Sequence, residues 1–433
     1  MPTLSSSPAG IEPAVRFLDH LFGARSPDVG FRLWDDTQWP DAAPRPATIV
    51  LRHPGALRAM FGGGDEMTLA EAYVAGDFDV EGDLETACGL ADRLEERPPG
   101  WRDKLTGFHH FLRLPAASRS VGSRSFTGAG RQHSLERDRA AISFHYDVSN
   151  DFYQLWLDRN LVYSCAYFRS ADDDLNTAQV AKLEHLCRKL RLRAGQRLLD
   201  IGCGWGALAI HAARAHGVFA TGVTLSERQA ELARERAKRA GVASRVRILL
   251  RDYRELDEPG SYDAVVSVGM SEHVGAGLLP GYFQAASALL QPGGVMLNHA
   301  IGEGFRPRRH QGPSFIEKYV FPDSAIPPLP VVAAAAEGAG FEVRDVENLR
   351  EHYALTLRHW VRRLEAAHDA ALAHVDEPTW RTWRLYMAGS AHGFARGHLA
   401  LYQVLLARPD ARGRSYLPLT RDDWYEGARA PAG

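Results

Sequence analysis

The chain has 433 residues, 45% of them hydrophobic and 24% charged, with 51 basic side chains against 53 acidic ones and a formal net charge of −2. That length predicts two compact units, and the balanced charge supplies no global field to recruit nucleic acid, so no nucleic-acid partner is expected. The opening MPTLSSSPAGIEPAVRFLDHLFGA has no basic stretch leading into an apolar one, which predicts no signal peptide, and no apolar run reaches the length of a membrane span. Cys88, Cys165, Cys187 and Cys203 are widely spaced, with no CxxC pair. They suit a reducing cytoplasm and form neither a disulfide framework nor a sequence-level zinc motif. The 18 histidines include no HExxH spacing, and no metal is expected.

In chain order, residues 1–114 read as a small α/β domain. ATIVLRHPGALRAMF predicts a strand running through His53-Pro54 into a helix, and MTLAEAYVAGDFDVEGDLETACGLADRL predicts two helices around an acidic, glycine-punctuated turn. Residues 115–139 are rich in Ser, Gly and Arg without apolar periodicity, and read as a basic linker. From residue 140 to 433 strands alternate with helices. QRLLDIGCG, FATGVTLS, RVRILLRD, YDAVVSVGM and GVMLNHAIG predict strands of a parallel sheet covered on both faces, with FEVRDVENL and ALYQVLLAR as a closing pair at its edge. Gly302 to Pro330 and the helical block from Tyr353 to about Gly393 stand outside that alternation and are read as lid or tunnel insertions.

HYDVSNDFYQLWLDRNLVYSCAYF, residues 145–168, crowds aromatic rings around Cys165. It predicts either an aromatic core patch or the wall of a site for an apolar substrate. LLDIGCGWG then places Asp200 at a strand end, before Gly202, Gly204 and Gly206, where glycines let the backbone turn sharply and approach a ligand beside a helix amino terminus. TGVTLSERQ and Asp252-Tyr253 follow the next two strands. In an open α/β sheet these three turns converge on one crevice, which favours a nucleoside cofactor.

Taken together and in this order, HYDVSNDFY, YSCAYF, LLDIGCGWG, GVTLSERQ, VGMSEHVG and FIEKYVFP resemble the cyclopropane-fatty-acyl-phospholipid synthase family. The resemblance spans about residues 140–410, and LRHPGALRAMFGGGDEMTLAEAYVAGDFDV resembles the extra amino-terminal domain of the longer bacterial members. It implies a Rossmann-like class I methyltransferase fold with a seven-stranded, mostly parallel sheet, and S-adenosylmethionine as cofactor. It assigns the cofactor to Tyr146, Tyr163, Ser164, Asp200, Gly202, Cys203, Gly204, Thr224, Leu225, Ser226, Gln229, Asp252 and Tyr253. It also implies a bound bicarbonate as base, cradled by Glu272, His299 and Tyr353 with the main-chain N–H groups of Cys165 and Ile301. The chemistry would add a methylene across the cis double bond of an unsaturated phospholipid acyl chain. The alternatives are a fatty-acyl C-methyltransferase making methylene- or methyl-branched chains, or a non-catalytic lipid-binding relative.

A methylated alkene is a carbocation that water would trap, so the family's chemistry calls for a dry, ring-lined site. Tyr146, Phe152, Tyr153, Tyr163, Tyr167 and Phe168 are expected to form that wall. The same reading implies a cytoplasmic enzyme peripherally associated with the membrane surface, and a homodimer is compatible with it. Ser149 stands where many bacterial members carry glycine, Ser390 where many carry cysteine, and FPDSAIPPLP departs from the usual form. These departures spare the methyl-transfer machinery and bear on the acyl substrate and product.

Overall fold

A computed structural model describes residues 10–23, 28–95, 101–116, 133–134, 136–137, 148–308 and 314–425. The chain divides into two compact units. One comprises Met1–Ser125, His310–Val320 and Val375–His392; the other comprises Phe126–Arg309, Phe321–His374 and Gly393–Gly433. Residues 310–320 and 375–392 thus go with the amino-terminal unit, an assignment that contiguous boundaries at 114 and 139 do not provide. Most of the basic linker lies outside the described residues.

In the first unit, β1 (Val29–Arg32), β2 (Gln38–Trp39), β3 (Ala47–Leu51) and β4 (Phe78–Gly82) form a sheet of order β2-β1-β3-β4. β4 corrects the sequence reading, which had a turn there. Phe78 and Val80 alternate inward, with Asp79 half-buried and Glu81 exposed, and that period-two pattern pairs antiparallel with β3. The acids that suggested a turn serve the outer face. Asp79 accepts from Arg52 and from the buried Arg381, each at 2.8 Å. Arg384 donates to the Tyr73 hydroxyl at 2.7 Å. A buried guanidinium needs such partners, and supplying them is how 375–392 belongs to this unit.

In the second unit, β5 (Arg197–Ile201), β6 (Phe219–Thr224), β7 (Val246–Leu250), β8 (Tyr262–Val268), β9 (Leu290–Glu303), β10 (Glu342–Asn348) and β11 (Leu399–Ala407) form one sheet of order β10-β11-β9-β8-β5-β6-β7. The strands from β7 to β9 run parallel, and β11 runs antiparallel to both β9 and β10. β11 is therefore an interior strand, with seven of its nine residues buried, and β10 alone forms that edge. Adjacent residues face opposite layers. Leu198, Ala220, Ile248 and Leu297 pack with the helices Leu175–Lys189, Ala207–His216 and Glu227–Arg239. Leu199, Val223, Val265 and Met296 pack with Leu279–Leu289 and Leu329–Gly338. The chain leaves β5 for β6 on one side and places β8 on the other, so a switch point opens at the carboxyl end of β5.

Candidate active site

At that switch point lies a cavity of about 350 Å³, bordered by the turns after β5, β6, β7 and β8. Tyr163, Ser164, Asp200, Gly202, Cys203, Gly204, Thr224, Leu225, Gln229, Asp252 and Tyr253 all border it. Two expected residues differ. Tyr146 lies outside the described residues. Ser226 does not border the cavity, because its hydroxyl caps the helix Glu227–Arg239 by accepting from Gln229 N–H at 3.3 Å. The glycine turn explains the opening. Gly202 and Gly204 have φ of +80° and +52°, and a Cβ at Gly204 would project into open space. Thr224 donates to Gln229 at 2.8 Å, and Asp252 is held bidentately by Arg254 at 2.8 and 2.7 Å.

The five residues read as the reacting centre are brought together by a chain of contacts. Ile301 N–H donates to Glu272 Oε1 at 2.8 Å. Ile301 pairs with Leu401 across β9 and β11, Leu401 O accepts from Leu349 N–H at 2.8 Å, and the Cys165 thiol lies 3.8 Å from Leu349 O. Leu349 opens the helix Arg350–Ala366 that carries Tyr353, whose ring packs 4.6 Å from Phe394 and edge-on to Trp360. His299 lies two residues before Ile301 on β9, on the same face. One role is corrected: the Ile301 N–H, read as a donor to an anion, is taken by Glu272 and holds that carboxyl in place.

The electrostatics of this centre follow from burial. Glu272 and His299 are 7% and 1% exposed. Burial pushes the Glu272 carboxyl up to about 7, against the stabilising Ile301 N–H. Burial also holds His299 neutral, well below the usual imidazole range, reinforced by Lys182, Lys189 and His185. The Gln403 amide nitrogen lies 3.1 Å from His299 Nδ1. With the amide donating, the ring hydrogen sits on Nε2. Among the described residues neither His299 Nε2 nor Glu272 Oε2 has a hydrogen-bond partner, although both are buried. A buried donor and a buried carboxyl oxygen left open in one region fit a small ligand that offers both oxygen lone pairs and a proton.

The aromatic stretch behaves differently from a simple wall. Of the rings named above, Tyr163 borders the cavity. Phe152 and Tyr153 are fully buried and pack with Trp156 and Trp205, and Trp156 packs on Trp360 behind it. Tyr167 stacks between His185 and His352 at 4.3 and 4.9 Å, and Phe168 stacks on His359 at 5.6 Å. Ser164 to Phe168 is thus a rigid rail, fixed also by Ala166 N–H donating to Thr356 Oγ1 at 3.0 Å.

The family model described as Mycolic acid cyclopropane synthetase matches residues 133–404. The chain belongs to this family. A Pseudomonas putida protein named "Probable fatty acid methyltransferase" is 43% identical over 421 residues, covering 96% of this chain and 99% of its own. The cyclopropane-fatty-acyl-phospholipid synthase of Escherichia coli is 34% identical over 364 residues, 84% of this chain and 88% of its own. The crystal structure of mycolic acid cyclopropane synthase CmaA1 complexed with SAH and CTAB is 35% identical, with a TM-score of 0.58 over 62% of this chain and 97% of its own. Family membership and the mostly parallel seven-stranded sheet establish a class I methyltransferase fold and a methyltransferase enzyme.

Three residues at this site escaped the sequence reading. Lys182, fully buried and bordering the cavity, donates to Ser164 Oγ at 2.9 Å, and burial pushes its ammonium down to about 8 against the pull of Cys165, Asp158 and Asp200. Gln403 orients His299. Ala325, in the divergent FPDSAIPPLP segment, donates its N–H to Glu272 O at 2.8 Å, and Asp323 of the same segment pairs with Arg137 at 2.9 Å. Each acts through a partner distant in the chain, Lys182 and Gln403 by their side chains and Ala325 by its main-chain N–H.

Proposed function

We propose that this enzyme binds S-adenosylmethionine in the cavity beyond β5 and converts the cis double bond of an unsaturated phospholipid acyl chain into a cyclopropane, with bicarbonate as base. The observation that carries the reading is the pair of buried, open polar atoms, Glu272 Oε2 and His299 Nε2, held by Ile301 and Gln403 near Cys165 and Tyr353. When bound, the two cofactors supply an electrophilic sulfonium methyl and an oxygen base. In balance, the alkene gains a CH2 group and one proton leaves. The protein's own share is to exclude water, to hold the glycine turn open and to position the proton acceptor. A carboxyl raised to about 7 exchanges its proton near neutral pH, and the neutral imidazole donates from Nε2 without bringing a competing positive charge.

A second reading, a methylene- or methyl-branched product, is supported by the naming of the 43% identical relative as a probable fatty acid methyltransferase. Both products gain the same mass from a monounsaturated chain at the first step. Mass spectrometry of lipids from cells expressing the protein therefore tests the common step, and proton NMR separates ring protons from a branch. No mass gain over cells expressing Glu272→Gln would remove the proposed activity.

The reading also places the enzyme at a membrane surface. No helix among the described residues is long and apolar enough to cross a membrane. The helix Trp101–Leu112 exposes Leu105, Phe108 and Leu112, three and four residues apart on one face, at 57–61%. With the basic sequence that follows, this face suits a shallow interfacial contact with anionic lipid. Replacing the three side chains by serine is expected to lower binding to anionic vesicles, and unchanged binding would contradict the contact.

A further inference from the structure

Away from the cavity, the second unit brings a cysteine and two histidines to one point, with a glutamate hydrogen-bonded to both imidazoles. Glu184 and Cys187 lie one turn apart on the helix Leu175–Lys189, and His211 and His216 come from the helix Ala207–His216. One ligand atom each of Cys187, His211 and His216 lies within 4.8 Å of the other two. His211 Nε2 and His216 Nε2 stand 3.2 and 3.1 Å from the same oxygen, Glu184 Oε2. Arg188 occupies the other oxygen at 2.7 Å, so the face of the carboxylate toward the rings is left to them.

Two imidazoles converge on Oε2 beside a buried thiol. One thiol, two imidazoles and a carboxylate are a four-ligand set suited to zinc-class cations, whose tetrahedral sites take sulfur, nitrogen and oxygen at about 2.0–2.3 Å.

We propose that Glu184, Cys187, His211 and His216 bind one divalent transition-metal cation in a structural site. Binding transfers the Cys187 proton to solvent, breaks the two imidazole–carboxylate hydrogen bonds and forms four metal–ligand bonds, leaving no open position for catalysis. The site clamps two helices that also wall the cofactor cavity, the first through Lys182 and Leu183, the second through Ala207 and Leu208. The inference stands independently of the acyl chemistry proposed above.

The test uses the full chain, stripped with a chelator and titrated with Co2+ while absorbance is followed. The expected result is a saturable thiolate-to-cobalt charge-transfer band at one equivalent, displaced by Zn2+, lost in Cys187→Ser and kept in Cys88→Ser. Co2+ affinity is also expected to fall in His211→Gln and His216→Gln, whose half-buried rings spare the core. Absence of the band in the folded, unsubstituted protein would overturn the site, as would a band surviving in Cys187→Ser or an affinity unchanged in both histidine variants.

Discussion

Glu272→Gln separates the cost of the buried carboxyl from its use. Burial raises this group from its ordinary 4.5 to about 7. The folded state therefore holds the proton more tightly than the unfolded state does between those values. Stability contributed by the protonated carboxyl is full below pH 4.5 and is lost as pH rises through 7. The displacement corresponds to roughly 3 kcal/mol. Glutamine keeps an acceptor for Ile301 N–H and does not titrate, so the variant escapes this loss. Urea midpoints of both proteins, compared from pH 4 to pH 8.5, are expected to diverge in favour of the variant by about 3 kcal/mol across the window. Turnover moves the other way. Loss of a positioned acid–base group costs about 10²–10⁴ in rate, while S-adenosylhomocysteine affinity stays unchanged because Glu272 does not border the cavity. Parallel stability curves would refute the buried, raised carboxyl, and wild-type turnover would remove Glu272 from the chemistry.

Gly204→Val is expected to abolish S-adenosylhomocysteine binding by calorimetry, because a branched side chain at φ +52° is strained and enters the open space of the turn; unchanged affinity would contradict the cavity assignment. Lys182→Met removes the charged hydrogen bond to Ser164 and is expected to lower the urea-derived stability by about 1–3 kcal/mol and to weaken cofactor binding; a variant matching wild type in both would assign Lys182 no part. In carbonate-free buffer the wild-type rate is expected to fall and to recover on adding bicarbonate; an unchanged rate would point to Glu272 or His299 acting as the base directly.

The parallel strands were readable because a strand buried on both faces is a continuous apolar run, as in RLLDI and AVVSV. β4 was not, because its outward acids Asp79 and Glu81 mimic turn chemistry until Arg52 and Arg381 are seen opposite. The glycine turn and its neighbours were legible as a local pattern. Ser226 caps the helix Glu227–Arg239, and in sequence an N-cap serine and a ligand-binding serine look alike. Lys182, Gln403 and Ala325 act through partners tens to hundreds of residues away, so nothing local marks them. For Glu184, Cys187, His211 and His216 the chain shows a histidine pair with four residues between its members but no cysteine pair beside it, since two helices supply the set. The wall of rings was half right. Local crowding was real, but backbone direction sends Phe152 and Tyr153 into the core and leaves Tyr163 facing the cavity.

The most direct measurement follows the transferred carbon. Purified protein is incubated with S-adenosylmethionine carrying a trideuterated methyl group and with vesicles of a phospholipid bearing a cis-monounsaturated chain, and the product is read by mass spectrometry and NMR. The account predicts an acyl chain that keeps two of the three deuterons in a ring carbon, the third having left as the proton removed at the Glu272–His299 centre. An acyl chain that gains no label, or one that retains all three deuterons, would contradict it.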